Sequence, residues 1–153
     1  MKRLALKVAG LAALVILAAG CAGTGAGTKY KDMAGTIPKA KPGDGRIYFF
    51  RADTPYGSAL QPLIRLDKVV VGASKSGGFF YVDRAAGTYQ AATSADPRKT
   101  LDIPLGAGET TYVRMSPSFG LVTGSIVLGI EPAEKARPEL AWLSYTGQAI
   151  IDK

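Results

Sequence analysis

The sequence predicts an all-β fold, an antiparallel β-sandwich of about seven or eight strands followed by a short helical C-terminal segment. Three observations predict it. From Arg46 onward, short β-branched and aromatic runs recur at spacings of roughly 8 to 12 residues, the rhythm of a sandwich. Gly, Pro and Asp separate the runs, and these residues suit turns rather than helix interiors. The texture changes again only after Pro132, where proline and acidic residues precede helically spaced leucines.

Taken in order, the candidate strands are Arg46–Arg51, Leu63–Leu66, Val69–Gly72, Phe79–Val82, Thr88–Ala92, Thr100–Ile103, Thr110–Met115 and Thr123–Ile130. Side chains alternate across a strand, so the consecutive apolar residues Tyr48, Phe49, Phe50 and Phe79, Phe80, Tyr81 must occupy both faces. Both faces of those strands are therefore expected to be partly covered. Gly87 and Gly108 precede Thr88 and Glu109, where a hairpin needs positive φ, which glycine adopts cheaply. Phe119–Ile130 is the most apolar stretch, but it is short and interrupted by Gly, so it reads as a core strand rather than a membrane span. Pro132 and Pro138 suit first helical positions and Glu134 and Glu139 suit first-turn acids, which predicts one or two helical turns packed on the sandwich.

The N-terminus has a different organisation. Lys2, Arg3 and Lys7 flank an apolar run from Val8 to Ala19 of about 12 residues, whereas about 20 are needed to span a bilayer. The run ends in Leu17-Ala18-Ala19-Gly20-Cys21. This segment resembles the signal of bacterial lipoproteins, in which a Leu, two small residues and a Cys mark a cleavage point and the Cys is acylated. The resemblance implies a signal peptide over 1–20 and lipid attachment at Cys21. Cys21 is the chain's single cysteine, so it has no intramolecular disulfide partner. Ala22 replaces the Asp that favours inner-membrane retention in such proteins. The expected location is therefore the periplasmic face of a Gram-negative outer membrane. Residues 21–45, rich in Gly, Thr, Lys and Pro, read as a flexible tether, and 46–153 as the sandwich domain.

Composition narrows the function. Removing Lys2, Arg3 and Lys7 leaves 16 basic against 12 acidic residues, a charge of +4 rather than +7. These cations are dispersed, which argues against a nucleic-acid partner. The chain contains no His, and its only Cys is assigned to the anchor, so thiol, His-triad and Cys/His zinc chemistry is excluded. Gly72-Ala73-Ser74-Lys75-Ser76-Gly77 misses the nucleophile elbow because Ser76 stands where Gly is required. It reads as a polar hairpin loop. Asp83, Asp96 and Asp102 read as strand-end or turn residues, and no acid cluster suggests a metal. No cofactor and no catalytic residue are expected.

A second resemblance covers roughly residues 45 to 131. Arg46-Ile47-Tyr48-Phe49-Phe50-Arg51, Gly57-Ser58, Leu66-Asp67-Lys68-Val69-Val70-Val71-Gly72, Gly78-Phe79-Phe80-Tyr81-Val82-Asp83, Ala86-Gly87-Thr88-Tyr89 and Gly106-Ala107-Gly108-Glu109-Thr110-Thr111-Tyr112-Val113-Arg114 resemble the bacterial DUF2846 domain. PEGA-like and immunoglobulin-like modules share parts of this grammar. Lys68 departs from the family's Gly after Asp67, which puts the simplest two-residue turn in doubt. The resemblance implies a surface-tethered sandwich and no established activity.

Tyr48, Phe50, Phe79 and Tyr81 are the candidate binding surface, with Arg51 beside them. If their rings emerge together from neighbouring strands, they offer an apolar patch to a protein or glycan; the alternative is that a helix or the tail covers them. An exposed strand edge is a second way to bind a partner. The leading expectation is a non-catalytic envelope binding or scaffolding module, held on the membrane by its lipid. The alternatives are a carrier of lipid or another apolar small molecule and an envelope hydrolase using Ser or carboxylates.

Overall fold

The computed structural model describes residues 27–119 and 124–147. The expected signal peptide, Cys21 and the first residues of the expected tether lie outside them. The described chain is an all-β sandwich. A helical turn α1 (Tyr30–Met33), continued by a 3-10 turn at Ala34–Thr36, precedes β1 (Asp44–Phe50). Then follow β2 (Leu63–Leu66), β3 (Val69–Ala73), β4 (Gly78–Ala85), β5 (Gly87–Thr93), β6 (Thr100–Leu105), β7 (Thr110–Phe119) and β8 (Gly124–Glu131). Helix α2 (Ala133–Leu140) and a short β9 (Ser144–Tyr145) complete the fold.

The first sheet runs β8-β7-β1-β4-β9 and the second β3-β2-β5-β6. Eight of these strands overlap the predicted ones. Most strand pairs are antiparallel, as expected, and the exceptions are β1 with β7 and β4 with β9, which pair in parallel.

Strand alternation explains the two cores. Ile47 and Phe49 of β1, Phe80 of β4, and Val113 and Met115 of β7 point between the sheets and meet Ile64, Ala91 and Ile103. The rings of Phe49 and Phe80 stack there with centroids 5.0 Å apart. Tyr48, Phe50, Phe79 and Tyr112 point the other way, against Ala136 and Leu140 of α2, Leu143 beyond it, and Tyr30 and Met33 of α1. The central strands β1, β4 and β7 of the five-stranded sheet are thus covered on both faces, as the consecutive aromatics require.

Several local expectations are corrected. Residues 28–45, read as a tether, contain α1 and the first two residues of β1, and Lys29 forms a bridge to Ser144. Two aromatic neighbours hold that segment down: the Tyr30 ring meets Tyr48 at 5.7 Å and Phe79 at 5.4 Å. Gly108 takes φ +72, but Gly87 does not enter the left-handed region. The physical reason is topological: only Ala86 separates β4 from β5, which belong to different sheets, so the chain crosses at a corner and makes no hairpin there.

Asp67 and Lys68, by contrast, do make the two-residue turn, at φ 48 and 71. Asp67 is secured by Gln90, whose backbone N–H donates to its carboxylate at 2.8 Å while its own N–H donates to the Gln90 carbonyl at 2.9 Å. These two bonds offset the cost of non-glycine residues at positive φ. Pro132 caps α2 from outside, and Pro138 lies within the helix rather than at its start. Of Phe119–Ile130, expected as a core strand, Phe119 ends β7 and Gly124–Ile130 belong to the edge strand β8, in which Ile126 is the buried residue.

Candidate functional site

β8 is an edge because α2 leaves the sheet immediately after Glu131 and crosses its outer face to reach β9 on the far side. The strand pairs with β7 from Tyr112↔Glu131 to Phe119↔Gly124, which satisfies one side of its backbone. Its sequence, Gly-Ser-Ile-Val-Leu-Gly-Ile-Glu, contains no Pro and no charge before Glu131. Ile126 anchors it in the core between the sheets, and Leu128 packs against the same cluster. Val127 and Ile130 are 42% and 47% exposed. An edge of this length with no charge before Glu131, and with no described strand on its outer side, is the arrangement on which another extended segment adds a strand.

The other edges differ. β6 carries Asp102 and Pro104, and β3 follows Lys68 and pairs with β2 through a register irregularity at Ile64/Arg65. β9 has two residues and is covered by the Lys29 segment.

One end of β8 is fixed by charge. Arg114 on β7 donates from Nε to Glu131 at 3.0 Å and, through Nη1 and Nη2, to both carboxylate oxygens of Glu139 at 2.9 and 2.7 Å. Its guanidinium lies 4.8 Å from the centroid of the Phe50 ring. The bond to Glu139 chiefly raises the Arg114 pKa. The edge strand and the crossover helix are therefore held by one cation.

The structure gathers the predicted aromatic residues and then covers them. Tyr48, Tyr81 and Tyr112 lie side by side on β1, β4 and β7, with Tyr48 to Tyr81 at 5.7 Å and Tyr48 to Tyr112 at 5.6 Å. Arg46 sits over Tyr81 at 4.3 Å and forms a two-bond ion pair with Asp83 at 2.6 and 2.7 Å. However, Tyr48, Phe50 and Phe79 are buried beneath α1 and α2, and Tyr81 is partly covered. The exposed-patch reading is corrected on that ground. Burial pushes the Tyr48 hydroxyl up to about 12.

Arg51 does not flank those rings. It is fully buried and donates to three backbone carbonyls, Leu60 at 2.5 Å, Gly57 at 2.5 Å and Ser74 at 3.1 Å. Its Nε has no partner, and burial lowers its pKa. The side chain is a clamp on the 51–62 loop, satisfying carbonyls that have no strand to pair with.

Ser74 is buried against this clamp, with Oγ 3.5 Å from Arg51 Nη1, while the neighbouring Lys75 is exposed. Ser76 Oγ accepts from the Thr54 N–H and lies within bonding distance of the Ala52 and Thr54 carbonyls, which ties the same loop. Asp83 is held by Arg46, and Asp102 accepts a bond from Gln90 at 3.3 Å. Asp96 closes a turn, its N–H donating to Thr93. Among the described residues no group of three or more Cys, Asp or Glu side chains is placed to hold a metal, and no helix is long and apolar enough to cross a membrane.

An open groove of about 370 Å3 lies at the start of β1, lined by Lys39, Lys41, Asp44, Arg46 and Glu109 among others. Charged side chains rim it, and it lies outside the core between the sheets. Between the sheets, Ile47, Phe49, Ile64, Ile103 and Val113 are completely buried.

Sequence reasoning foresaw a free edge as a mode of binding without locating it. The run Gly124–Ile130, apolar yet free of Lys and Pro, carried the signal, but its placement at the end of the sheet depends on the parallel β1–β7 pairing. No family model matches the chain, and none of the curated proteins or solved structures compared with it matches either.

Proposed function

We propose that this chain is an outer-membrane lipoprotein of the DUF2846 type, anchored through Cys21 at the periplasmic face. In this reading the sandwich is a non-catalytic binding or scaffolding module, and β8 is the edge on which an envelope protein partner lays an extended segment. The observation that carries it is the uncharged outer edge of β8 between Gly124 and Ile130, which no described strand pairs with. Main-chain bonds along such an edge supply affinity, and Val127 and Ile130 supply contacts that select the partner.

The inventory of groups supports a non-catalytic role. Ser74 contacts Arg51 and has no buried lysine beside it, and the acids Asp83 and Asp102 are each engaged by a neighbouring strand. A lipid carrier needs an enclosed apolar cavity of several hundred Å3, about 300 or more. The space between the sheets is instead occupied by side chains.

In-cell cross-linking of the anchored protein followed by mass spectrometry tests the module. A discrete protein captured through β8 from the native chain, and lost when Cys21→Ser releases the protein from membranes, is the expected result. Cross-links spread over the surface with no preference for β8 would overturn the edge assignment. Palmitate incorporation retained by Cys21→Ser would overturn the anchor.

A further inference from the structure

The anchor, if it is where the preceding section places it, also orients the domain, and this inference rests on that reading. We propose that the β9 edge, with Trp142, Lys29 and Lys31 at its surface, rests on the phospholipid surface that holds the lipid. The domain then stands on this edge and presents β8 away from the bilayer.

Three observations converge. Trp142 is the chain's sole tryptophan and is 66% exposed, the most exposed large apolar side chain among the described residues. It follows α2 directly, and Lys31 Nζ lies 5.5 Å from the centroid of its ring. An amphipathic ring beside a flexible ammonium is a combination that suits the headgroup layer, where the ring enters the acyl boundary and the amine meets phosphate.

The second observation is reach. Seven residues carry the chain from Cys21 to Thr28, whose carbonyl is already bonded to the Tyr145 N–H on β9. Fully extended they span at most about 25 Å, and as a coil about 15 Å. β8 lies four strand spacings across the sheet from β9, about 19 Å. Only near full extension does the link exceed that width; at its coil length of about 15 Å it holds the β9 edge nearer the anchor than β8.

The third observation is charge. Lys29 and Lys31 sit on this edge, and the one carboxylate paired with either, Asp32, is bound to Lys31 at 2.9 Å. Lys29 has no carboxylate partner among the described residues, so its ammonium is available to anionic headgroups.

The test uses the full anchored chain reconstituted in vesicles of phosphatidylethanolamine with a minor share of phosphatidylglycerol, prepared with ordinary or brominated acyl chains. Trp142 alone reports, because the chain has no other tryptophan. Bromolipid should quench its emission by about half or more, the depth expected of an interfacial ring. Lys29→Glu combined with Lys31→Glu should restore much of the emission.

Emission equal in ordinary and brominated vesicles would overturn the docking, and so would shielding of Trp142 from aqueous quencher without any bromolipid effect, which would assign the face to a protein contact. The mass of the N-terminal peptide is read on the same sample. Acylated Cys21 without quenching removes the docking alone, whereas unacylated Cys21 removes the anchor and with it the basis for this orientation.

Discussion

At the β9 end of the five-stranded sheet, the last backbone groups are taken by the chain itself: Lys29 bridges Ser144, and the Tyr145 N–H reaches Thr28. At the β8 end, eight residues run with one side paired to β7 and the other unpaired by any described strand. The two edges also differ in what covers them. Beside β9 pack Tyr30, Leu143 and the end of α2, whereas Val127 and Ile130 on β8 are exposed. The contrast teaches that edge protection here is tertiary. Nothing in Ser144–Tyr145 forbids pairing; a separate segment simply occupies the position. No described segment covers β8 in that way, and before Glu131 it has none of the charges or prolines that usually blunt an edge.

The comparison can be broken most forcefully through α2. Leu140 is fully buried against the outer face of the sheet, so Leu140→Ala should destabilise the fold by about 2–5 kcal/mol. Hydrogen exchange should show protection falling first at β9 and α1, with β7–β8 amides affected less. Equal loss at both edges would show that the two regions are one cooperative unit. A smaller effect is expected from Glu139→Gln, which removes the two-oxygen partner of Arg114 while leaving Glu131; about 1 kcal/mol, read by chemical denaturation, is the expected cost.

Alkaline pH sharpens the contrast without altering the chain at neutrality. Burial raises the Tyr48 hydroxyl from 10.0 to about 12, so the folded state retains a proton that the unfolded chain gives up. The associated stability is whole below about pH 10 and declines as pH rises through the folded value near 12. Tyr48→Phe should shift the alkaline unfolding transition to higher pH, measured by circular dichroism. The least effect on stability, within about 0.5 kcal/mol, is expected from Val127→Lys on the exposed face of β8. That substitution should nevertheless abolish capture of a β8 partner in cells, since a lysine on an edge opposes strand addition.

Much of this fold was legible locally. Alternation and turn residues located eight strands, and the consecutive aromatics in β1 and β4 announced a sheet covered on both sides. The cover itself was less legible. Tyr30 and Met33 stand among Gly, Lys and Thr, so no periodic pattern marks α1, and its order comes from the rings it meets. β9 is too short to carry an alternating pattern. Arg51 read as a surface cation because Arg usually is one. Its burial follows from three loop carbonyls, two from the folded 51–62 segment and one from Ser74, that only the fold brings within reach. The candidate aromatic site failed for the same reason: strand parity gave the direction of each ring but could not say what lay above it.

The parallel pairing of β1 with β7 has a consequence in time. Arg46 meets Thr110 and Phe50 meets Arg114, so β1 acquires this neighbour only after some sixty intervening residues have been made. An N-terminal strand bearing Tyr48, Phe49 and Phe50 must therefore wait, with its aromatic faces and one backbone side unsatisfied, while the rest of the domain emerges. Pairing across such a separation slows folding and prolongs the interval in which the chain can aggregate. Refolding from denaturant should accordingly be slow and concentration-sensitive, with β1 the segment left unsatisfied until β7 arrives.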